Sequence, residues 1–336
     1  MFEWLFADDT LPLIFAALMA LAVLVYAILD GYDLGVGILL PLDDEAQRDL
    51  AIASIGPFWD ANETWLVLAV GLLLVAFPAA HSAVLHALYL PATIMLFGLI
   101  LRGVSFDFRA KVKPQRKIVW DRCFKIGSTL TAFTQGYMLG MYVMGFEFTL
   151  MAVIFACLSG LGVMAAYALI GSCWLIMKTA GSMQLRAIGW AKRAGTLTFL
   201  GILTVCAVNP LINEFVYVRW LTPPLAFLIA LIPLLCFSMF LLGYQVLRRL
   251  PLIDDRGSWL PFVMVVIVFI CCFTGLALSF YPYLVPGELT IYNSASAPES
   301  LRIMLIGTLF VMPFIIGYTV FAYTVFRGKA TKLTYY

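Results

Sequence analysis

A chain of 336 residues that is 63% hydrophobic and only 12% charged cannot fold as an ordinary water-soluble domain. Its mean hydropathy of +0.99 is that of a polytopic membrane protein, and a net charge of +2 is no nucleic-acid signature. Crossing a hydrocarbon core ~30 Å thick takes a helix of ~20 residues, whereas a barrel strand needs only ~10 with alternating polarity. Nine apolar runs of helical length stand at 11–40, 51–77, 81–101, 118–144, 150–177, 194–218, 221–247, 259–283 and 303–326. They predict an all-α protein with one integral membrane domain over 1–336.

The first run follows Glu3, Asp8 and Asp9 rather than a basic segment, and it is too long for a removable signal peptide, so it is expected to stay in the chain. Thr10 is placed to cap it, with Pro12 tolerated in its first turn. Near its far end Asp30 and Asp33 form an i, i+3 pair, and Gly31 and Gly35 offer a small-residue face to a neighbouring helix.

The second run holds Trp59, Asp60, Asn62, Glu63 and Trp65. Entering from residue 51, it would place Asp60 ~14 Å along the helix axis, the deepest carboxylate, with Glu63 on the same face. The third run opens on His81 and His86, the chain's two histidines, and ends at Arg102. Two histidines on one helix cannot furnish several haem sites, which need ligands from facing helices. Asp107, Arg109 and the basic run at 111–117 are expected to be solvated loop charges. Asp121 is expected to be a charge at a helix N-terminus. The seven cysteines lack metal-ligand spacing and are expected to pack as small apolar groups.

Orientation follows from the basic residues, of which nineteen of 21 fall on one side if the runs alternate. Only Arg219 and Arg302 fall on the other, so the N-terminus is expected outside and the C-terminus in the cytoplasm. Trp4, Trp120, Trp190, Trp220 and Trp259 lie near run ends, as interfacial aromatics should. The acids of the first two runs and Arg102 then converge at one level near the cytoplasm. Ionisable groups there mark either a proton route or a network locking three helices together. A proton-coupled transporter and a purely structural scaffold are also compatible with such a cluster.

Three strings give the chain a resemblance: DGYDLGVG at 30–37, GPFWDANETWLV at 56–67 and RGVSFDFR at 102–109. In order, spacing and membrane placement they resemble the signature segments of subunit II of cytochrome bd-type quinol oxidases. The resemblance implies two four-helix bundles plus one extra helix in the bacterial inner membrane. It implies a complex that oxidises quinol and reduces dioxygen to water, with haem b and haem d carried mainly by a partner subunit I. Small single-span subunits, surrounding lipid and a structural quinone are further partners it implies. The short outward connection at 219–224 and the scarcity of histidine distinguish this chain from subunit I. Carried over residue by residue, the resemblance makes Asp60 the proton-entry aspartate. It makes Glu63, Asp30 and Asp33 candidates for the same pathway, and Arg102, Asp107 and Arg109 a structural charge network.

Overall fold

Helix α1 (Leu11–Leu39) starts with proline in its first turn, where the missing N–H costs no hydrogen bond. It is described in a computed structural model covering residues 9–223, 225–252 and 255–330. Glu3, Trp4 and Asp8, named above, lie outside these residues, as do Pro224 of the short connection at 219–224 and Lys332, one of the nineteen basic residues counted on one side. The chain continues through α2 (Glu45–Ile55), α3 (Trp59–Ala76), α4 (Pro78–Lys111), α5 (Pro114–Val143), α6 (Leu150–Lys178), α7 (Gly181–Ile212) and α8 (Glu214–Leu221). After α9 (Leu225–Arg249) and α10 (Leu260–Phe280), a small antiparallel hairpin, β1 (Tyr283–Val285) and β2 (Leu289–Thr290), precedes α11 (Ile291–Ser294) and α12 (Pro298–Val325).

Eight of these helices are long and apolar enough to cross a membrane. The exception among the nine expected is α5, whose apolar stretch is diluted by Ser128, Thr131 and Thr134, all buried in the protein interior. Its 30 residues span ~45 Å, and it packs along both α4 and α6, so it runs the same thickness as its neighbours. Helices α1, α3, α4 and α5 form one bundle and α6, α7, α9 and α10 a second; they meet where α1 and α5 pack on α6, and α12 lies outside both. Close approach of α1 and α6 requires glycine on each. A Cβ on Gly35 would stand 1.8 Å from the Tyr167 carbonyl oxygen, and one on Gly171 would stand 2.5 Å from the Gly35 carbonyl carbon.

Three of the expected helix boundaries are corrected. The second run is two helices, because the chain breaks at Gly56, Pro57 and Phe58. Asp44 caps α2, accepting from the Gln47 amide at 3.0 Å, and the Trp174 indole donates to the Ser54 carbonyl near the other end at 3.2 Å. Helix α4 does not stop at residue 101 but continues to Lys111, so 102–109 is helix rather than loop. Helix α7 begins at Gly181, well before the apolar run, and ends at Ile212. In both, the helix continues into charged sequence because its backbone hydrogen bonding is satisfied along the way, and in α4 the charges of Arg102 and Arg109 are buried against partners rather than solvated.

Candidate functional site

Asp30 and Asp33 lie one turn apart on α1, both fully buried. Desolvated carboxylates are costly unless partnered, and each finds a different partner. Asp30 Oδ1 lies 2.6 Å from Arg102 Nη2, and the same nitrogen lies 3.1 Å from Glu63 Oε1. The buried guanidinium of α4 thus joins α1 and α3, with the Trp59 ring centroid 5.9 Å away. Asp33 Oδ2 accepts from the Asn62 amide at 2.7 Å. Tyr323 of α12 donates to Asn62 Oδ1 at 3.2 Å, and its hydroxyl meets that of Tyr32 at 2.5 Å, so this chain of polar groups ties the outlying helix to α1 and α3.

The cluster is not closed. Asp30 Oδ2, Asp33 Oδ1, and Nε and Nη1 of Arg102 are buried without a hydrogen-bond partner. Three carboxyl groups surround one guanidinium; the two unpartnered oxygens can accept a proton or a hydrogen bond, whereas the two guanidinium N–H groups can only donate, as to water. Tyr167 of α6 donates to Gln135 of α5 at 2.7 Å, and Gln135 donates to Tyr26 at 2.6 Å. This second polar chain reaches the turn of α1 that precedes Asp30.

A lower layer lies nearer the end of the bundle where most basic residues gather. Asp121, buried on α5, is 2.7 Å from Arg48 Nε and 2.5 Å from Arg109 Nε, and Arg109 also pairs with Asp49. Two cations and two carboxylates therefore balance, joining α2, α4 and α5. At the surface, Arg186 grips both oxygens of Asp43 at 2.8 Å. Chiefly through these hydrogen bonds, it holds that exposed carboxyl below its usual range.

The geometry revises several sequence-based placements. Asp60 is not the deepest carboxylate: the break at Pro57 puts it in the first turn of α3, exposed on the surface of this chain. There its charge suits the helix dipole. Asp121, expected in that role, lies about a quarter of the way along α5 and is fully buried in the lower network. Arg109 is buried rather than solvated, while Asp107 is exposed. Arg102, Asp30, Asp33 and Glu63 come together as expected; Asp60 lies one turn before Glu63, at the edge. Arg48, one of the nineteen basic residues that set the expected orientation, is a network residue. Tyr323 carried no sequence signal at all, since a tyrosine in an apolar helix declares no partner.

Neither layer resembles a haem site. His81 and His86 share the N-terminal part of α4, with His86 exposed, and no second helix offers an imidazole across from them. Among the described residues, no three His, Cys, Asp or Glu side chains converge as metal ligands.

Comparison with known proteins gives consistent results. The family model described as cytochrome bd terminal oxidase subunit II matches residues 11–326. Cytochrome bd ubiquinol oxidase subunit 2 of Bacillus subtilis is 29% identical over 328 residues, covering 94% of this chain and 95% of the relative. Cytochrome bd-I ubiquinol oxidase subunit 2 of Escherichia coli is 24% identical, covering 96% of each. The solved bd oxidase of Geobacillus thermodenitrificans matches in fold with a TM-score of 0.77 at 18% identity, covering 94% of this chain and 98% of the matched one.

Proposed function

The chain belongs to the cytochrome bd terminal oxidase subunit II family, and from that premise we propose that it delivers cytoplasmic protons to a haem-bearing subunit I that oxidises quinol and reduces dioxygen. Membership makes it a multi-pass subunit of a bacterial inner-membrane oxidase and sets aside an independent transporter. The relatives' names supply ubiquinol as the electron donor of those proteins. In this complex haem b and haem d would supply the electron transfer from subunit I, and this chain's residues would hold and move protons.

The observation that carries the reading is the buried excess of carboxyl groups over cations around Arg102, with four polar atoms left unpartnered. Such a site can take up a proton without stranding a charge, because neutralising one carboxyl relieves repulsion between acids while Arg102 stays ionised. Asp60, exposed at the head of α3, is the entrance. Glu63, one turn on with its side chain 26% exposed, passes the proton toward Asp30. Arg102 holds the geometry by pairing with both of the inner acids. Asp107 is too exposed to share in this, and Arg109 belongs to the lower layer.

The test is turnover and proton uptake of the purified complex in liposomes with Asp60→Asn and Glu63→Gln. Both variants should assemble with normal haem content and lose at least ten-fold in oxygen consumption, since proton supply limits turnover. Wild-type turnover and proton uptake in both would leave the cluster a purely structural lock.

A further inference from the structure

The second bundle is incompletely closed, and its opening is separate from the charge cluster. Between α6, α7, α9 and α10 lies a groove of about 240 Å³, open at the surface. Its walls are apolar apart from Cys173, Lys192, Thr196 and Tyr244.

Two glycines facing this groove have no packing reason to be glycine. At Gly35 and Gly171 a Cβ would collide with backbone. A Cβ on Gly195 would instead come no closer than 3.6 Å to Leu169 Cδ1, and one on Gly243 no closer than 3.8 Å to Met264 Sδ. Glycine within a helix is less favourable than alanine, and no close helix approach offsets that here. What the missing side chains do is keep the groove wide.

The mouth lies at the level of lipid headgroups. On α7, Arg186 pairs with the exposed Asp43, and Trp190 follows one turn later. On α9, Arg248 stands 5.6 Å from the Tyr244 ring and Arg249 ends the helix. These are marks of the cytoplasmic interface. Lys192 is half-buried just inside it, and a helical side chain leans toward its helix N-terminus, here the cytoplasmic end. No acid lines the groove, and Lys192 has no ion pair among the described residues. A cation without a counter-charge above an apolar slot fits an anionic amphiphile: a phosphate compensates the amine, and a chain fills the slot by dispersion contact.

We propose that this groove seats one anionic phospholipid of the inner leaflet, with its phosphate on Lys192 and an acyl chain between Gly195 and Gly243. A neutral isoprenoid would leave the ammonium uncompensated. The seat is independent of the proton route, and its test does not use the acids.

The assembled complex should be purified in mild detergent and its bound lipids and quinones counted by mass spectrometry. Lys192→Gln and Gly195→Leu should each lose about one anionic phospholipid per complex, while Arg193→Gln, on an exposed side of α7, should keep it. Delipidated wild-type complex should gain more in unfolding temperature from phosphatidylglycerol than from phosphatidylcholine, and Lys192→Gln should abolish that difference. Unchanged anionic lipid in folded Lys192→Gln overturns the proposal. So does loss of a quinone rather than a phospholipid from Gly195→Leu. If Gly195→Leu does not assemble, the charge variant and the wild-type lipid comparison decide.

Discussion

At Arg102 one buried guanidinium faces Asp30 and Glu63 together, so its removal would strand carboxylates in the interior. Breaking a buried pair by deleting one partner typically costs ~3–5 kcal/mol, while replacing both charges costs far less. Arg102→Ala should therefore sharply reduce recovery of the complex, and Arg102→Gln combined with Asp30→Asn should recover better than Arg102→Gln alone. Equal yields of the two, measured by haem content per cell, would show that the pair is not what holds these helices. Asp43→Asn should leave yield unchanged, because its pair with Arg186 is open to water, with the Asp43 side chain 67% exposed. Motif spacing brought Asp30, Asp33, Glu63 and Arg102 together, but Asp60 and Asp121 exchanged roles. Burial of a single acid depends on where its helix begins, and an uninterrupted count of apolar residues from position 51 passed over Pro57.

Helix ends were the least legible elements for a related reason. Hydropathy reports where lipid stops, whereas hydrogen bonding decides where a helix stops, so α4 and α7 extend into charged sequence that looked like loop. Helix contacts were more readable. The small-residue face of α1 does meet a neighbour, and the structure identifies it as α6 through Gly35 and Gly171. Gly35→Ala would drive a methyl into the Tyr167 carbonyl and force the helices apart, a cost of at least ~1–3 kcal/mol by comparison with overpacked cores. The complex should then unfold at lower temperature and with reduced yield. Gly189→Ala on α7, where nothing lies within 4 Å, should be neutral or slightly stabilising because only helix propensity changes. If the two variants melted alike, close packing of α1 on α6 would not be limiting.

Across the whole molecule, charge and exposure divide along different directions. The lower network and most basic residues gather at one end, whereas the hairpin end carries few. Around the sides, α12 exposes Phe310, Phe314 and Phe321, and α4 exposes Phe97 and Ile100, as lipid or a partner subunit requires. The first division fixes orientation and makes it testable without activity. Glu288 lies exposed between β1 and β2, and Lys113 lies exposed between α4 and α5. With the basic end in the cytoplasm, a membrane-impermeant maleimide should label Glu288→Cys in intact spheroplasts and leave Lys113→Cys unlabelled. Inverted membrane vesicles should give the opposite pattern, with the parent chain and its seven native cysteines as background. Labelling of Lys113→Cys from outside would invert the protein. It would turn the open end of α3 away from the cytoplasm, and Asp60 could then admit protons only from the wrong side.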